Sequence, residues 1–295
     1  MSQVQTSPVV VAIVVHQPCP WLEEVVASLA SQDYPNLQTL FFVTATTADT
    51  TVVTDGGREE VTVLIRRSLP TAVIRQVEGN PGYGPLMNEV SRLVEGESGF
   101  FCFMHDDVAL DSNAISSMIG EMFRSNAGVV GPKIVMWDDV TVLQSVGLGA
   151  DRIGDISPIV EKGEKDQEQH DAVSDVFLIP SACMLVRADL FREIGGFSPD
   201  IPLFGEDLDF CWRTHLSGAR VMVVPAARAR HRNEMSASRL VTSMSALEAR
   251  HRVRTVATLS GRVQLPLVLV QLLLMSVARV VIGVFNGTFR QAQES

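Results

Sequence analysis

Three short stretches of this chain carry side chains whose types and spacing suit chemistry. The first is His105-Asp106-Asp107, directly after the apolar run 100–104. Two carboxylates and an imidazole at the end of a buried strand can hold a divalent cation against phosphate oxygens. The same residues can equally form an acidic turn that caps the following helix. The second stretch is Gly205-Glu206-Asp207-Leu208-Asp209, running into Phe210-Cys211-Trp212-Arg213. On a helix, Glu206, Asp209 and Arg213 share one face, because they lie three and four residues apart, while Asp207 points elsewhere. A carboxylate set apart from an internally neutralised cluster suits a general base. Acids in that position also suit a helix N-terminus through its macrodipole. The third is His231, a single histidine inside the Arg-rich segment 228–232. A Gly/Pro turn at 80–85, Asn-Pro-Gly-Tyr-Gly-Pro, could bring backbone amides near a phosphate or simply reverse the chain.

The elements that must position these residues follow from apolar patterning. Residues 9–15 form a continuous β-branched run, as in a strand buried on both faces. Apolar residues at 21, 22, 25, 26 and 29 have helical spacing. Short apolar strands are predicted at 40–43, 72–77, 100–104 and 129–135, with 44–57 a Thr/Asp/Gly-rich loop. Ser112 is placed to cap a helix running to about 125. Residues 151–175 are polar and charged, a surface excursion or lid. Strands are predicted at 176–179, 184–186 and 221–224, and helices at 188–194 and 204–217, with Gly195-Gly196 ending the first of these. Strand and helix alternate in the first half. That predicts a Rossmann-like α/β sheet, mixed but mostly parallel and flanked by helices. The partition is one α/β domain over 1–235 and a C-terminal helical, membrane-proximal segment over 236–295.

Composition limits the function classes. In 295 residues, 46% are hydrophobic and 20% charged, enough for a packed core and unlike a disordered or fibrous chain. The net charge of −10 argues against a nucleic-acid partner. That charge is uneven. Residues 1–227 carry a net −17, whereas 228–262 hold eight Arg and two Glu, a net +6. Four scattered cysteines lack metal or redox spacing and fit buried, reduced thiols. No signal-peptide pattern opens the chain, which points to the cytoplasm. Residues 263–285 are apolar apart from Gln264, Gln271, Ser276 and Arg279. A transmembrane helix, an interfacial helix and a core helix all fit that run. The basic strip before it favours membrane contact at the cytoplasmic face, and the chain could be a fragment of a longer membrane protein.

Taken in order, these stretches resemble the family 2 glycosyltransferases, which have the GT-A fold. The first strand with Trp21-Leu22 and Ser28-Leu29-Ala30-Ser31-Gln32-Asp33-Tyr34-Pro35 is similar to the family's opening block. Asn80-Pro81-Gly82-Tyr83 through Asn88 resembles its Asn/Gly loop, and His105-Asp106-Asp107-Val108 stands where the Asp-x-Asp metal motif falls. The segments 182–187, 195–197 and 205–213 resemble three later blocks, and His231 matches the histidine that often closes the metal site. The resemblance implies an inverting transfer from a nucleotide-diphosphate sugar, with Asp207 as general base. It implies Mn²⁺ or Mg²⁺ held by Asp107, His231 and His105. Donor contacts would fall to His16, Asp49, Asn80, Gly82, Asn88 and Asp106, and acceptor-side positions to Glu206, Trp212 and Arg213. The implied acceptor is a glycan or glycolipid of the cell envelope.

Two departures from the family pattern matter. His105 replaces the first metal-motif Asp, which makes the site less anionic and softer and leaves the metal open. Thr44 replaces an Asp that reads the donor's base or ribose. A catalytically silent nucleotide-sugar or glycan-binding module of a membrane assembly is the alternative, since fold alone does not set function. A nucleotidyltransferase is a weaker third reading, because His16-Gln17-Pro18-Cys19 is not a Gly-rich basic loop.

Overall fold

A computed structural model describes residues 6–16, 18–44, 55–94, 99–233 and 241–285. The chain opens with β1 (Val9–Val15), α1 (Leu22–Ala30), β2 (Leu37–Thr44), α2 (Asp55–Ser68), β3 (Val73–Val77), α3 (Tyr83–Leu93) and β4 (Phe100–His105). There follow β5 (Val108–Leu110), α4 (Ala114–Ser125), β6 (Val129–Met136), β7 (Leu143–Ser145), β8 (Leu148–Ala150), β9 (Ile156–Pro158) and β10 (Ser174–Asp175). The last part holds β11 (Cys183–Arg187), α5 (Ala188–Glu193), α6 (Glu206–Leu216), β12 (Val221–His231), α7 (Val241–Leu259) and α8 (Leu265–Phe285).

The main sheet runs β10-β12-β6-β11-β4-β1-β2-β3, with β5 beside β12 and β7 beside β6. β1, β2, β3 and β4 are mutually parallel, and β12 is parallel to β6. β11 lies antiparallel between β4 and β6. The sheet is therefore mixed and mostly parallel, as the alternation of strand and helix predicts. β1 shows why. Val9, Val11, Ile13 and Val15 feed one core, while Val10, Ala12 and Val14 feed the core on the opposite face. A strand buried on both faces has no use for polar alternation, hence its uninterrupted apolar run.

From β1 the chain moves outward to β2 and β3, then returns to place β4 on the other side of β1. The crevice at the carboxyl ends of β1 and β4 is thus a topological switch point, where α/β sheets bind ligands. His16 follows β1 and His105 ends β4.

Several expectations need correction. α2 occupies part of a stretch given no helix by the sequence reading; it buries Val61 and Ile65, one helical turn apart. In place of the expected strand at 176–179, the pairing falls just before it in β10, and within 176–179 Leu178 makes a single bridge to Leu148. Ser112 is not the cap of α4; Asn113 holds that position and makes no side-chain capping bond. β12 continues well past Val224, through a register shift against β6 between Val224 and Arg228, to His231. Of the eight arginines in the basic strip, Arg228, Arg230, Arg232, Arg252 and Arg254 pair with Asp166, Glu24, Asp138, Asp155 and Asp200. The positive strip is thus largely neutralised by the chain's own acids.

Candidate active site

β4 ends at His105, and a tight turn through Asp106 and Asp107 starts β5. β5 pairs antiparallel with β12, and the register sets Val108 opposite His231. The Arg232 N–H donates to the Asp107 carbonyl at 3.1 Å and closes that pairing. His231, 124 positions along the chain from Asp107 by numbering, is delivered to its side by strand register. Its Nε2 lies 3.3 Å from Asp107 Oδ1, and His105 Nδ1 lies 3.9 Å from the same oxygen. One ligand atom from each of the three falls within 4.8 Å of the others. Two imidazole nitrogens and a carboxylate oxygen suit a first-row transition-metal dication better than Mg²⁺, which takes oxygen ligands.

The electrostatics agree with that donor set. Burial, aided by His231 and His16, pushes His105 down to about 4, so its ring is neutral with one lone pair to offer. Burial and the adjacent Asp107 push Asp106 up to about 7, while a backbone hydrogen bond from His16 holds it partly back. Asp106 therefore joins the ends of β1 and β4. Burial lowers His16 as well, and its Nδ1 lies 2.7 Å from the buried Thr44 hydroxyl. The thiol of Cys19 is pushed up to about 12, chiefly by burial and then by Asp106. All four cysteines are free.

The carboxylates at the start of α6 split into two environments. Asp207 Oδ1 accepts from the Leu208 N–H at 2.8 Å, and Oδ2 accepts from the Ser181 N–H at 3.4 Å. Burial raises the Asp207 pKa against these bonds. Glu206 Oε1 accepts from the Ser181 hydroxyl at 2.8 Å, and Oε2 is buried with no hydrogen-bond partner. Burial and Asp207 push Glu206 up to about 7. Asp209 instead pairs with Arg213 at 2.5 Å. The expected three-residue cluster is therefore a pair, and Glu206 belongs with Asp207.

Ser181, just before β11, escaped the sequence reading. Its N–H meets Asp207, its hydroxyl meets Glu206 and lies 3.4 Å from His105 Nε2, and its carbonyl accepts from Tyr83 Oη at 3.0 Å. A serine flanking a strand has no spacing signal, and only the fold assembles these contacts.

Other expected site residues have structural work. Asn88 gives and accepts bonds with the backbone of Phe197, so its amide is committed there rather than to a donor. Gly196, at φ +68°, passes so close that a Cβ would lie 2.5 Å from Asn88 Oδ1. Arg213 donates to Asp209 and to the Ile194 carbonyl, which takes it away from an acceptor. Trp212 stacks edge-on with Phe177 at 5.5 Å and packs on the Ile153–Val256 cluster. Asn80 Oδ1 accepts from the Gly82 N–H at 3.1 Å, an Asx turn opening α3. Gly82, at φ +99°, lies against Pro202, where a Cβ would sit 2.7 Å away. Asp49 lies outside the described residues.

α8 packs Val268 and Leu272 onto Ile153 and Val256, and exposes Val263 before it together with Leu267, Val270, Leu273, Leu274 and Val277. Among the described residues no helix is long and apolar enough to cross a membrane; the side chains of α8 are described as far as 278.

A pre-mycofactocin glycosyltransferase of Mycobacterium tuberculosis is 26% identical over 150 residues, covering 50% of this chain and 30% of that relative. The chain thus spans about a third of the length of the curated relatives it matches. A crystal structure of GalNAc-T7 with UDP, GalNAc and Mn²⁺ superposes with a TM-score of 0.60 at 11% identity, over 76% of this chain and 43% of that one. S. aureus TarS superposes at 0.52 with 17% identity, over 85% and 42%. At these identities the likeness is one of fold, and the fold is the GT-A arrangement of a mostly parallel sheet between helices. The family model described as glycosyltransferase-like family 2 matches residues 7–258, and this chain belongs to that family.

Proposed function

We propose that this chain is an inverting glycosyltransferase that moves a sugar from a nucleotide-diphosphate sugar to a hydroxyl of a glycan or lipid-linked acceptor, with Asp207 as general base. The observation that carries the reading is Ser181, which touches Asp207 with its N–H and His105 with its hydroxyl, each at 3.4 Å. One residue spans the base and the cation cluster, so acceptor activation and diphosphate binding fall in a single crevice. A carboxylate raised by burial accepts a proton more readily than an exposed one.

The acceptor O–H gives its proton to Asp207. Its oxygen bonds to the anomeric carbon as the bond from that carbon to the diphosphate breaks, and the electron pair leaves on the nucleoside diphosphate. One displacement inverts the carbon and needs no enzyme nucleophile. The thiol of Cys211 is buried and pushed up, which suits a packing role. His105, Asp107 and His231 would hold Mn²⁺ or Mg²⁺, which when bound offsets charge on the leaving diphosphate. A fold neighbour crystallised with UDP, GalNAc and Mn²⁺ supports a nucleotide, a sugar and a divalent cation on this architecture. His16, Asp106, Asn80 and Gly82 border the donor side.

The exposed apolar residues of α8 suit a helix lying in the lipid interface at the cytoplasmic face. Flotation with lipid vesicles tests it: wild type should float, and a Leu273→Ser/Leu274→Ser variant should stay behind. Asp207→Asn tests the chemistry. Transfer should be abolished while donor binding persists, and retained turnover would overturn the base assignment.

A further inference from the structure

Ser181 is 6% exposed, and its hydroxyl has two polar neighbours, Glu206 Oε1 at 2.8 Å and His105 Nε2 at 3.4 Å. A hydroxyl has one proton to give and two lone pairs, and above about pH 7, where Glu206 is ionised, its carboxylate only accepts. The short contact therefore takes the proton toward Glu206. Oγ then faces His105 as an acceptor, so Nε2 must bring the hydrogen. A neutral imidazole protonated at Nε2 keeps its lone pair on Nδ1. Nδ1 is the atom that points toward Asp107 Oδ1. Tyr83 holds the same ring edge-on, with centroids 5.2 Å apart, and its hydroxyl bonds to the Ser181 carbonyl.

We propose that Ser181 and Glu206 are positioning residues that lock His105 in its Nε2–H tautomer and so aim the Nδ1 lone pair at the cation site shared with Asp107 and His231. The inference rests on the cation reading of that cluster. It also explains how a histidine works where the family pattern has an aspartate. A carboxylate presents lone pairs on either oxygen, whereas an imidazole must be told which nitrogen to protonate. Removing such a partner from a ligating histidine typically weakens metal binding about 10–100-fold.

Long-range ¹H–¹⁵N spectra of the imidazoles in the metal-free full chain at pH 8 test the tautomer, with His105 assigned through His105→Gln. Wild type should show the Nε2–H pattern. Glu206→Met frees the Ser181 proton to point at Nε2, and the ring should flip to Nδ1–H. Mn²⁺ titration followed by electron paramagnetic resonance should show Ser181→Ala binding about tenfold more weakly. Glu206→Met should add little to that loss in the double variant, because the two act in series. An Nδ1–H pattern in wild type overturns the proposal, as does a Ser181→Ala variant that binds Mn²⁺ as tightly as wild type. A wild type that holds the Nε2–H form yet binds no Mn²⁺ overturns the cation reading and leaves the orienting role of Ser181 standing.

Discussion

Asn88 grips Phe197 by both ends of one peptide residue: its Oδ1 accepts from the Phe197 N–H at 2.8 Å, and its Nδ2 donates to the Phe197 carbonyl at 2.9 Å. The grip ties α3 to the glycine turn after α5. Phe197 is fully buried among Tyr83, Phe103, Phe191 and Phe210. Asn88→Ala leaves both backbone groups without partners, at about 2–4 kcal/mol for the two together. Urea denaturation should record that loss, while donor affinity of the folded fraction should stay close to wild type.

Lys133 is a buried lysine on β6 that meets Asp166 at 3.0 Å and also pairs with Asp171. It pins the polar excursion after β9 to the sheet. Lys133→Met leaves Asp166 buried with the more distant Arg228 at 3.4 Å as its remaining cation. Breaking a buried pair from one side costs about 3 kcal/mol or more. The expected result is lower stability in denaturation, with new cleavage near 166–171 in limited proteolysis.

Glu206 gives a pH signature. Its folded pKa of about 7 stands above the ordinary 4.5. Between those values the folded state holds a proton that the unfolded chain has lost, so this residue's contribution to stability falls as pH rises through that window. Glu206→Gln removes the titration. The variant should gain on wild type from about pH 4.5 to about pH 7 and hold a constant difference above it, as read from thermal melts across pH.

The metal preference can be measured directly. With two imidazoles and one carboxylate, Mn²⁺ should raise the melting temperature more than Mg²⁺ at equal concentration. His105→Asp hardens the donor set and should narrow that gap. Equal shifts from both ions in wild type would contradict the softer site inferred from His105.

The legibility of the chain followed the range of the forces involved. β1 was plain because a doubly buried strand needs a solid apolar run. α2 was hidden, since Val61, Thr62 and Val63 are β-branched and its first residues follow a Thr-rich stretch. The end of β12 did carry a signal that went unread: Ala227, Arg228, Ala229, Arg230 and His231 alternate buried and half-buried. Of the site, His105, Asp107, Asp207 and His231 stood out by type and position. Ser181 did not, because its partners lie 25, 26, 76 and 98 residues away. Asn88 and Arg213 looked like ligand residues because polar side chains that brace a backbone are indistinguishable, by type, from those that bind substrate.

The register shift in β12 decides which residue reaches the site. Three residues, 225–227, are looped out between the pairs Val224–Pro132 and Arg228–Lys133. Beyond them, arginine and histidine occupy opposite faces of the strand. Losing or gaining one residue there exchanges the faces and delivers Arg230 or Arg232 beside Asp107 in place of His231. A guanidinium is itself a cation, so a single-residue slip would fill the place of a metal ion with the protein's own charge. Changes of two residues would restore the face but set Ala229 or Asn233, not the histidine, beside Asp107.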